Sequence, residues 1–137
     1  MKQANKNLLT LIIGGFVGAV LRFEIGEWMP YPAAGFPWNT LLINWVGCLF
    51  LGWFLTITLK FIILQPEMRL GLGTGMTGAF TTFSTFSVQS VHLFMTGHAG
   101  IAVLYVILTV IGGLGLSFLG VKLAQWQEKK SRGDLII

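Results

Sequence analysis

Charged side chains are scarce in this sequence: Asp, Glu, Lys and Arg together make up 10% of the 137 residues. An ordinary soluble domain has about a quarter of its residues charged, so the low value excludes that class of protein. Hydrophobic residues account for 54% of the chain, and the mean hydropathy is +0.76. The composition therefore predicts a protein that resides in a lipid bilayer.

Cysteine pairs, metal-ligand clusters and catalytic groupings are also lacking. The single cysteine, Cys48, excludes an intramolecular disulfide, and its apolar surroundings favour packing as a small hydrophobic residue. His92 and His98 have no Cys or acidic neighbour at ligand spacing, so we interpret them as interfacial residues. Glu24 and Glu27 are three residues apart, but no residue is positioned to complete an acid–base site with them. An enzyme is therefore not predicted.

Long hydrophilic connectors are missing as well. Four apolar stretches reach the length of about 20 residues that a helix needs to cross a bilayer. They cover residues 8–28, 40–64, 70–95 and 101–123. The sequence thus predicts an all-α integral membrane protein with four transmembrane helices, in which residues 1–137 form a single domain without an extramembrane module.

The basic residues are concentrated on one side of this predicted bundle. With four spans, both termini and the central connector share a side of the membrane. That side carries eight of the nine basic residues: Lys2, Lys6, Lys60, Arg69, Lys122, Lys129, Lys130 and Arg132. The positive-inside rule then predicts a multi-pass protein of the plasma (cell inner) membrane with cytoplasmic termini. Because these residues lie at span ends, the net charge of +4 does not indicate a nucleic-acid partner.

The third span has an unusual composition for a membrane anchor. Residues 71–78 include four glycines, and seven hydroxyl side chains lie between Thr74 and Ser87. Glycines weaken a helix, and hydroxyls need partners where the bilayer supplies no water. Non-helical backbone at membrane depth is tolerated only inside protein or beside a wet cavity. We therefore expect a helix broken mid-membrane, within residues 75–82, facing protein or solvent.

Two interpretations of this span compete. The hydroxyls could bond to carbonyls of the preceding turn while the glycines allow tight helix packing. Alternatively, they line an ion pathway, which the interleaved Phe80, Phe83 and Phe86 favour. A phenyl ring has a positive edge that can meet a small anion, and hydroxyl donors can replace the water that the anion has lost.

Polar residues in the other spans leave similar choices open. Asn44 offers two amide donors, either to a neighbouring helix or to a pathway. Arg22 either extends to the lipid headgroups or faces a vestibule and concentrates anions there. Thr109, Gly113 and Ser117 are spaced four apart and form one helical stripe, suited to tight packing or to a polar track.

Three motifs give the sequence a family resemblance. They are Gly-Gly-x-x-Gly-Ala-x-x-Arg from Gly14 to Arg22, Thr-Leu-x-x-Asn-x-x-Gly from Thr40 to Gly47, and Gly-x-x-Gly-x-x-Thr-Thr-Phe-Ser-Thr-Phe-Ser ending at Ser87. With these motifs the chain resembles the Fluc (CrcB) fluoride channels, and the resemblance extends through all four spans.

The resemblance implies an antiparallel, dual-topology dimer in the lipid bilayer that exports cytoplasmic fluoride passively through two pores along its interface. By motif, the implied pore residues are Phe83, Phe86, Asn44, Ser84, Thr82, Tyr105 and Thr109, with Arg22 in the vestibule. The backbone carbonyls of Gly78 and Thr81 are implied ligands of a structural sodium ion at the dimer centre.

The sequence departs from the family pattern at two positions and raises one question of topology. Gln89 stands where many members have Glu, and Gly113 where many have Ser. The strong bias of basic residues should also fix a single orientation, whereas an antiparallel homodimer needs both. We therefore expect either a homodimer or a heterodimer with an oppositely oriented paralogue.

Two other functions remain as alternatives. A small four-span exporter of multidrug or cationic compounds would need a carboxylate deep in the membrane, and Glu24 and Glu27 lie near the end of a span. A scaffold subunit without transport activity would tolerate single substitutions of Asn44 and the third-span hydroxyls without any change in ion flux.

Overall fold

The computed structural model describes residues 3–29 and 35–133, of which 132 and 133 are described by their backbone alone. Lys2 and the side chain of Arg132, both counted in the topology argument, lie outside this description. Within it, every regular element is helical and no strand is present. In chain order the elements are α1 (Gln3–Trp28), α2 (Trp38–Lys60), α3 (Pro66–Arg69), a π-helical stretch (Leu70–Met76), α4 (Thr77–Phe80), α5 (Phe83–Met95) and α6 (Ala99–Gly133).

Three of these helices are long and apolar enough to cross a membrane. They are α1, α2 and the part of α6 from Ala99 to Ser131, with mean hydropathies of 1.9, 1.8 and 2.3 in their most apolar windows. The side chains of α1 and of this part of α6 are largely exposed along the apolar length, as expected for helices that face lipid, whereas α2 is more buried. The prediction of an all-helical membrane protein is confirmed.

Two helix ends differ from the predicted spans. α2 ends at Lys60 rather than at Leu64, and Phe61 after it leaves the helical conformation with φ −124° and ψ −31°. α6 continues ten residues beyond the predicted end at 123, to Gly133. The stretch after 123 contains Gln, Glu and Lys, which favour helix as well as the apolar residues do.

The third segment of the chain consists of two helical parts with an interruption between them. Residues 66–80 wind continuously through α3, the π-helical stretch and α4, and Thr77 Oγ1 donates to the Leu72 carbonyl five residues before it, at 3.1 Å. Thr81 and Thr82 then have extended backbone, with ψ 158° and 121°. α5 begins at Phe83 with Thr82 as its N-cap. The interruption thus places the C-terminus of α4 and the N-terminus of α5 next to each other within the segment.

The first part of this segment packs backbone against backbone with α1. Gly71 and Gly75 are buried against Thr10 and Leu11. A methyl group added to Gly14 would overlap the Gly71 carbonyl, and one added to Gly18 would overlap the Met76 carbonyl. Only glycine permits so close an approach.

α2 and α6 form the second tight pair. Gly52 packs against the backbone of Ser117, and Trp45 Nε1 donates to the Leu108 carbonyl at 3.0 Å. Because higher-numbered residues of one helix meet higher-numbered residues of the other, the two helices run parallel. The third segment runs antiparallel to α2, with Gly73 near Leu55 at one end and Thr82 at Asn44 at the other.

Candidate functional site: a polar groove at the helix interruption

A groove of about 940 Å³ separates α2, the third segment and α6. On α2 its lining residues follow a helical stripe from Asn44 through Cys48 and Leu51 to Leu55. Its polar lining residues are Asn44, Arg69, Thr74, Thr77, Thr81, Thr82, Thr109 and Ser117. Phe83 and Phe86 line the end at which α5 begins. An apolar membrane bundle therefore contains one concave surface lined with donors, acceptors and phenyl rings.

Asn44 holds the interruption in place. Its Nδ2 donates to the Thr82 carbonyl at 3.0 Å, and its Oδ1 accepts from the Thr82 backbone N–H at 2.8 Å. The side-chain amide thus replaces both hydrogen bonds that the Thr82 backbone lacks outside a helix. This geometry also fixes the orientation of the amide, because a flipped side chain would face donor with donor. Of the two roles open to Asn44, the hydrogen bond between helices is present.

Thr82 is the centre of the hydrogen bonds at the start of α5. It is 7% exposed, and its Oγ1 accepts from the Thr85 N–H at 3.2 Å while donating to Thr85 Oγ1 at 2.9 Å. Ser84 Oγ lies 3.3 Å from the same Thr82 oxygen. The capped N-terminus of α5 carries the positive end of the helix dipole and lies at the groove. That end of the groove therefore favours an anion.

Six of the seven hydroxyl groups between Thr74 and Ser87 divide into two sets. Thr77, Thr81 and Ser87 donate to carbonyls four or five residues earlier, so for these three the interpretation as locally bonded hydroxyls is correct. Thr82, Ser84 and Thr85 instead bond one another across the start of α5. The second set is grouped at the interruption.

Thr109 on α6 presents a hydroxyl without a partner. Its Oγ1 is buried and makes no hydrogen bond in the described part of the chain, although Thr109 lines the groove. Gly113 and Ser117 line the groove beside it, while Gly112 packs on Trp45. The stripe of Thr109, Gly113 and Ser117 thus borders the groove. A buried hydroxyl without a partner is unfavourable, so it needs an explanation at this position.

The two phenylalanines of the groove differ in burial. Phe86 is 8% exposed and Phe83 is 79% exposed, although their ring centroids are only 5.7 Å apart. Tyr105 is completely buried behind Phe86, with ring centroids 5.2 Å apart. Its hydroxyl donates to Gln89 Oε1 at 3.0 Å. Tyr105 and Gln89 therefore support the ring of Phe86 and do not line the groove.

The groove unites most of the residues that the sequence suggested. Asn44, Gly78, Thr81, Thr82, Phe83, Phe86 and Thr109 all line it. Ser84 is one hydrogen bond away at Thr82, and Arg22 is half-buried on α1 and outside the lining. Glu24 and Glu27 are both exposed.

Among the lining residues that sequence reasoning missed, one has a thiol and one has a charged side chain. Cys48 was expected only to pack, yet it borders the groove, where a Cβ added to Gly113 would lie 3.3 Å from its sulfur. Its position one turn after Asn44 could have indicated this. Arg69 was counted only for topology, and its place at the groove depends on a contact with α2 that no local pattern reveals.

Comparison with known families identifies the chain. The sequence model of the family described as CrcB-like protein, Camphor Resistance (CrcB), matches residues 9–121. The match includes α2, the groove and the interruption. The chain belongs to the CrcB family. With its long apolar helices, it is a multi-pass protein of the cell membrane.

Several relatives of this CrcB-family chain have the name fluoride-specific ion channel. FluC of Oceanobacillus iheyensis is 46% identical over 125 residues, which are 91% of this chain and 96% of the relative. FluC 1 of Moorella thermoacetica is 45% identical over 119 residues, 85% of this chain and 84% of the relative. FluC 1 of Bacillus cereus is 43% identical over 129 residues, 92% and 90% of the two chains.

Proposed function

We propose that this CrcB-family chain is a fluoride-selective channel subunit, a passive transporter and not an enzyme, that exports cytoplasmic fluoride. The names of its relatives supply the ion. The observation that carries the proposal is the groove in which Asn44 fixes an interrupted helix and Thr109 presents a buried hydroxyl without a partner. Such a groove offers donors where a lipid-facing bundle otherwise has none.

The groove has the chemistry that a dehydrating anion requires. Fluoride must exchange its water for donors, and the candidates are the second N–H of the Asn44 amide, the hydroxyls of Ser84 and Thr109, and the N-terminus of α5. The Thr82 hydroxyl donates to Thr85 and would hold the start of α5 in place. Phe83 and Phe86 would present ring edges to the ion. Tyr105 would act by holding Phe86 in position, and Arg22 would act from a vestibule.

Four spans fit this proposal, with the third span interrupted in the middle. The region from Pro66 to Met95 would cross the membrane as two helical parts joined at Thr81 and Thr82. Because Asn44 bonds the Thr82 backbone, the N–H and the carbonyl of Thr82 need no water at membrane depth. The chain would then be a single channel domain over residues 1–137, as the sequence suggested.

A second subunit would complete the pore. The groove is open on one side, and Phe83, at 79% exposure, would lie in lipid if the chain acted alone. An antiparallel dimer with two pores would cover this side. The bias of basic residues favours a heterodimer with an oppositely oriented paralogue over a homodimer.

The carbonyls at the interruption fit a structural sodium ion at the centre of that dimer. Thr82 N–H donates to Asn44, so it does not serve the Gly78 carbonyl four residues earlier, and Gly78 is exposed. The Thr81 carbonyl follows the end of α4, where a helix dipole favours a cation. In residues 3–29 and 35–133, no three His, Cys, Asp or Glu side chains are grouped for a metal. Carbonyl oxygen suits sodium, which would neutralise these dipoles.

A flux assay tests the proposed function. Purified protein in liposomes loaded with potassium fluoride, with a potassium ionophore to clamp the voltage, should release fluoride rapidly and chloride slowly. Efflux that requires a proton gradient would indicate a coupled transporter instead. Efflux that appears only with a second CrcB subunit would establish the heterodimer, whereas none under either condition would refute the channel.

A further inference from the structure

Arg69 lies at one end of the groove, opposite the interruption. It ends α3, four residues before Gly73, which packs near Leu55 of α2. Asn44 and Phe86 line the other end. By the distribution of basic residues, the Arg69 end is the cytoplasmic one. An ion leaving the cytoplasm through the groove would therefore pass this guanidinium first.

The Arg69 charge is not neutralised by a carboxylate. Its Nη2 donates to the carbonyls of Thr58 and Leu64 at 3.0 and 3.5 Å, and its buried Nε has no hydrogen-bond partner. Glu67, the acid nearest in sequence, accepts a hydrogen bond from Gln3. Glu67 is therefore engaged at the start of α1, and no ion pair of Arg69 occurs in the part of the chain that the structure describes.

The bond to Thr58 anchors this charge at the groove. Thr58 belongs to the last turn of α2, whose final carbonyls have no helical donor. An uncharged donor could also satisfy the Thr58 carbonyl, so this hydrogen bond does not explain why the residue is charged. A positive charge that is partly buried, unpaired and beside a polar groove is unfavourable unless an anion visits it.

We propose that Arg69 forms an entry site for small inorganic anions at the cytoplasmic end of the groove, where it raises the local concentration of the permeating ion. This inference rests on the proposed function, with fluoride as the ion. Its action is electrostatic, so it should weaken as salt screens the guanidinium.

The test compares fluoride efflux at low and high ionic strength, set with potassium isethionate at a fixed fluoride gradient and equal potassium on both sides. R69Q removes the charge and keeps a hydrogen-bond donor, whereas R69K keeps the charge and loses the planar guanidinium group. K60Q is the matched control, because Lys60 is exposed near the same end and outside the groove lining.

We expect R69Q to slow efflux about fivefold at 10 mM ionic strength and less than about twofold at 1 M, since the screening length falls from about 30 to 3 Å. At 10 mM ionic strength R69K should slow efflux less than R69Q does, because the charge remains, and K60Q should also slow it less than R69Q, because Lys60 lies outside the groove lining. The native rate itself should fall with ionic strength, which keeps the test valid even if R69Q fails to fold.

Three results would overturn the entry site. Equal losses in R69Q and R69K at both ionic strengths would make Arg69 a structural tie between α2 and α3. A salt-independent native rate, or equal losses in K60Q and R69Q, would remove the role of a local charge. Native protein without fluoride efflux would instead refute the proposed function, so the two failures are distinguishable.

Discussion

The third segment meets α1 on one side and the groove on the other, and different residues form its two sides. Towards α1, Gly71 and Gly75 are buried in backbone contacts with no space for a methyl group. Towards the groove, Thr74 and Gly78 are exposed, and a Cβ at Gly78 would meet no atom within 4 Å. One side is closed by sterics and the other is left open and polar, so the α1 face positions the segment and the groove face is available for an ion.

The largest expected effect of a substitution is that of N44A on the open side. It leaves the N–H and carbonyl of Thr82 without partners, which should lower the free energy of unfolding by about 2–4 kcal/mol and abolish fluoride efflux. N39A is the control, because Asn39 Oδ1 accepts only from neighbouring Thr40. Thermal unfolding in detergent and liposome efflux measure the two effects. An N44A protein with native efflux would show that the interruption is not part of the pathway.

On the closed side, G18A tests the contact with the third segment. The added methyl group overlaps the Met76 carbonyl, so the free energy of unfolding should fall by about 1–3 kcal/mol. Gly26 on the same helix is the control, because a Cβ added there would meet no atom within 4 Å. G26A should be neutral or stabilising by about 0.5–1 kcal/mol. Equal thermal stability of G18A and G26A would show that the contact between Gly18 and Met76 does have space for a methyl group.

F83I separates function from stability. Phe83 is largely exposed in one subunit, so its loss should change stability little. Efflux should fall about tenfold, because a ring-edge contact is worth about 0.5–1.5 kcal/mol. F86I should lose both efflux and stability. F94I changes an exposed position on the same helix outside the groove, so it should keep both native efflux and native stability. A fall in efflux in F94I equal to that in F83I would argue against a specific ring at the pore.

The smallest effect, and the one most specific to the open side, is that of T109V. Removing a buried hydroxyl without a partner should leave stability unchanged or raise it by about 1 kcal/mol. Fluoride efflux should nevertheless fall about threefold, since a donor to the ion is lost. In T56V, the lost hydroxyl only donates to the Gly52 carbonyl, so efflux should stay native. Reduced stability with native efflux in T109V would mean that its hydroxyl has an internal structural role.

Sequence could predict the helical membrane class and much of the groove, because both follow from local patterns. Apolar runs identify spanning helices, and the alternation of hydroxyls with phenyl rings indicated Phe83 and Phe86, although it also included Phe80, which is buried and outside the groove lining. The partner of Asn44 was not predictable, since it lies 38 residues away across a helix interface. The burial of Tyr105 behind Phe86 and the place of Arg69 also depend on tertiary packing.

Cys48 gives the most direct test that the groove is the route of the ion. It is the only cysteine in the chain and lines the groove beside Asn44 and Gly113. Silver ion is small and binds thiols tightly, and nitrate and fluoride buffers keep it soluble. Added to liposomes during efflux, it should stop fluoride release by the native chain and leave C48A unaffected. Unchanged fluoride release after Cys48 has bound silver, or a Cys48 thiol that silver does not reach, would contradict a water-accessible pathway through the groove.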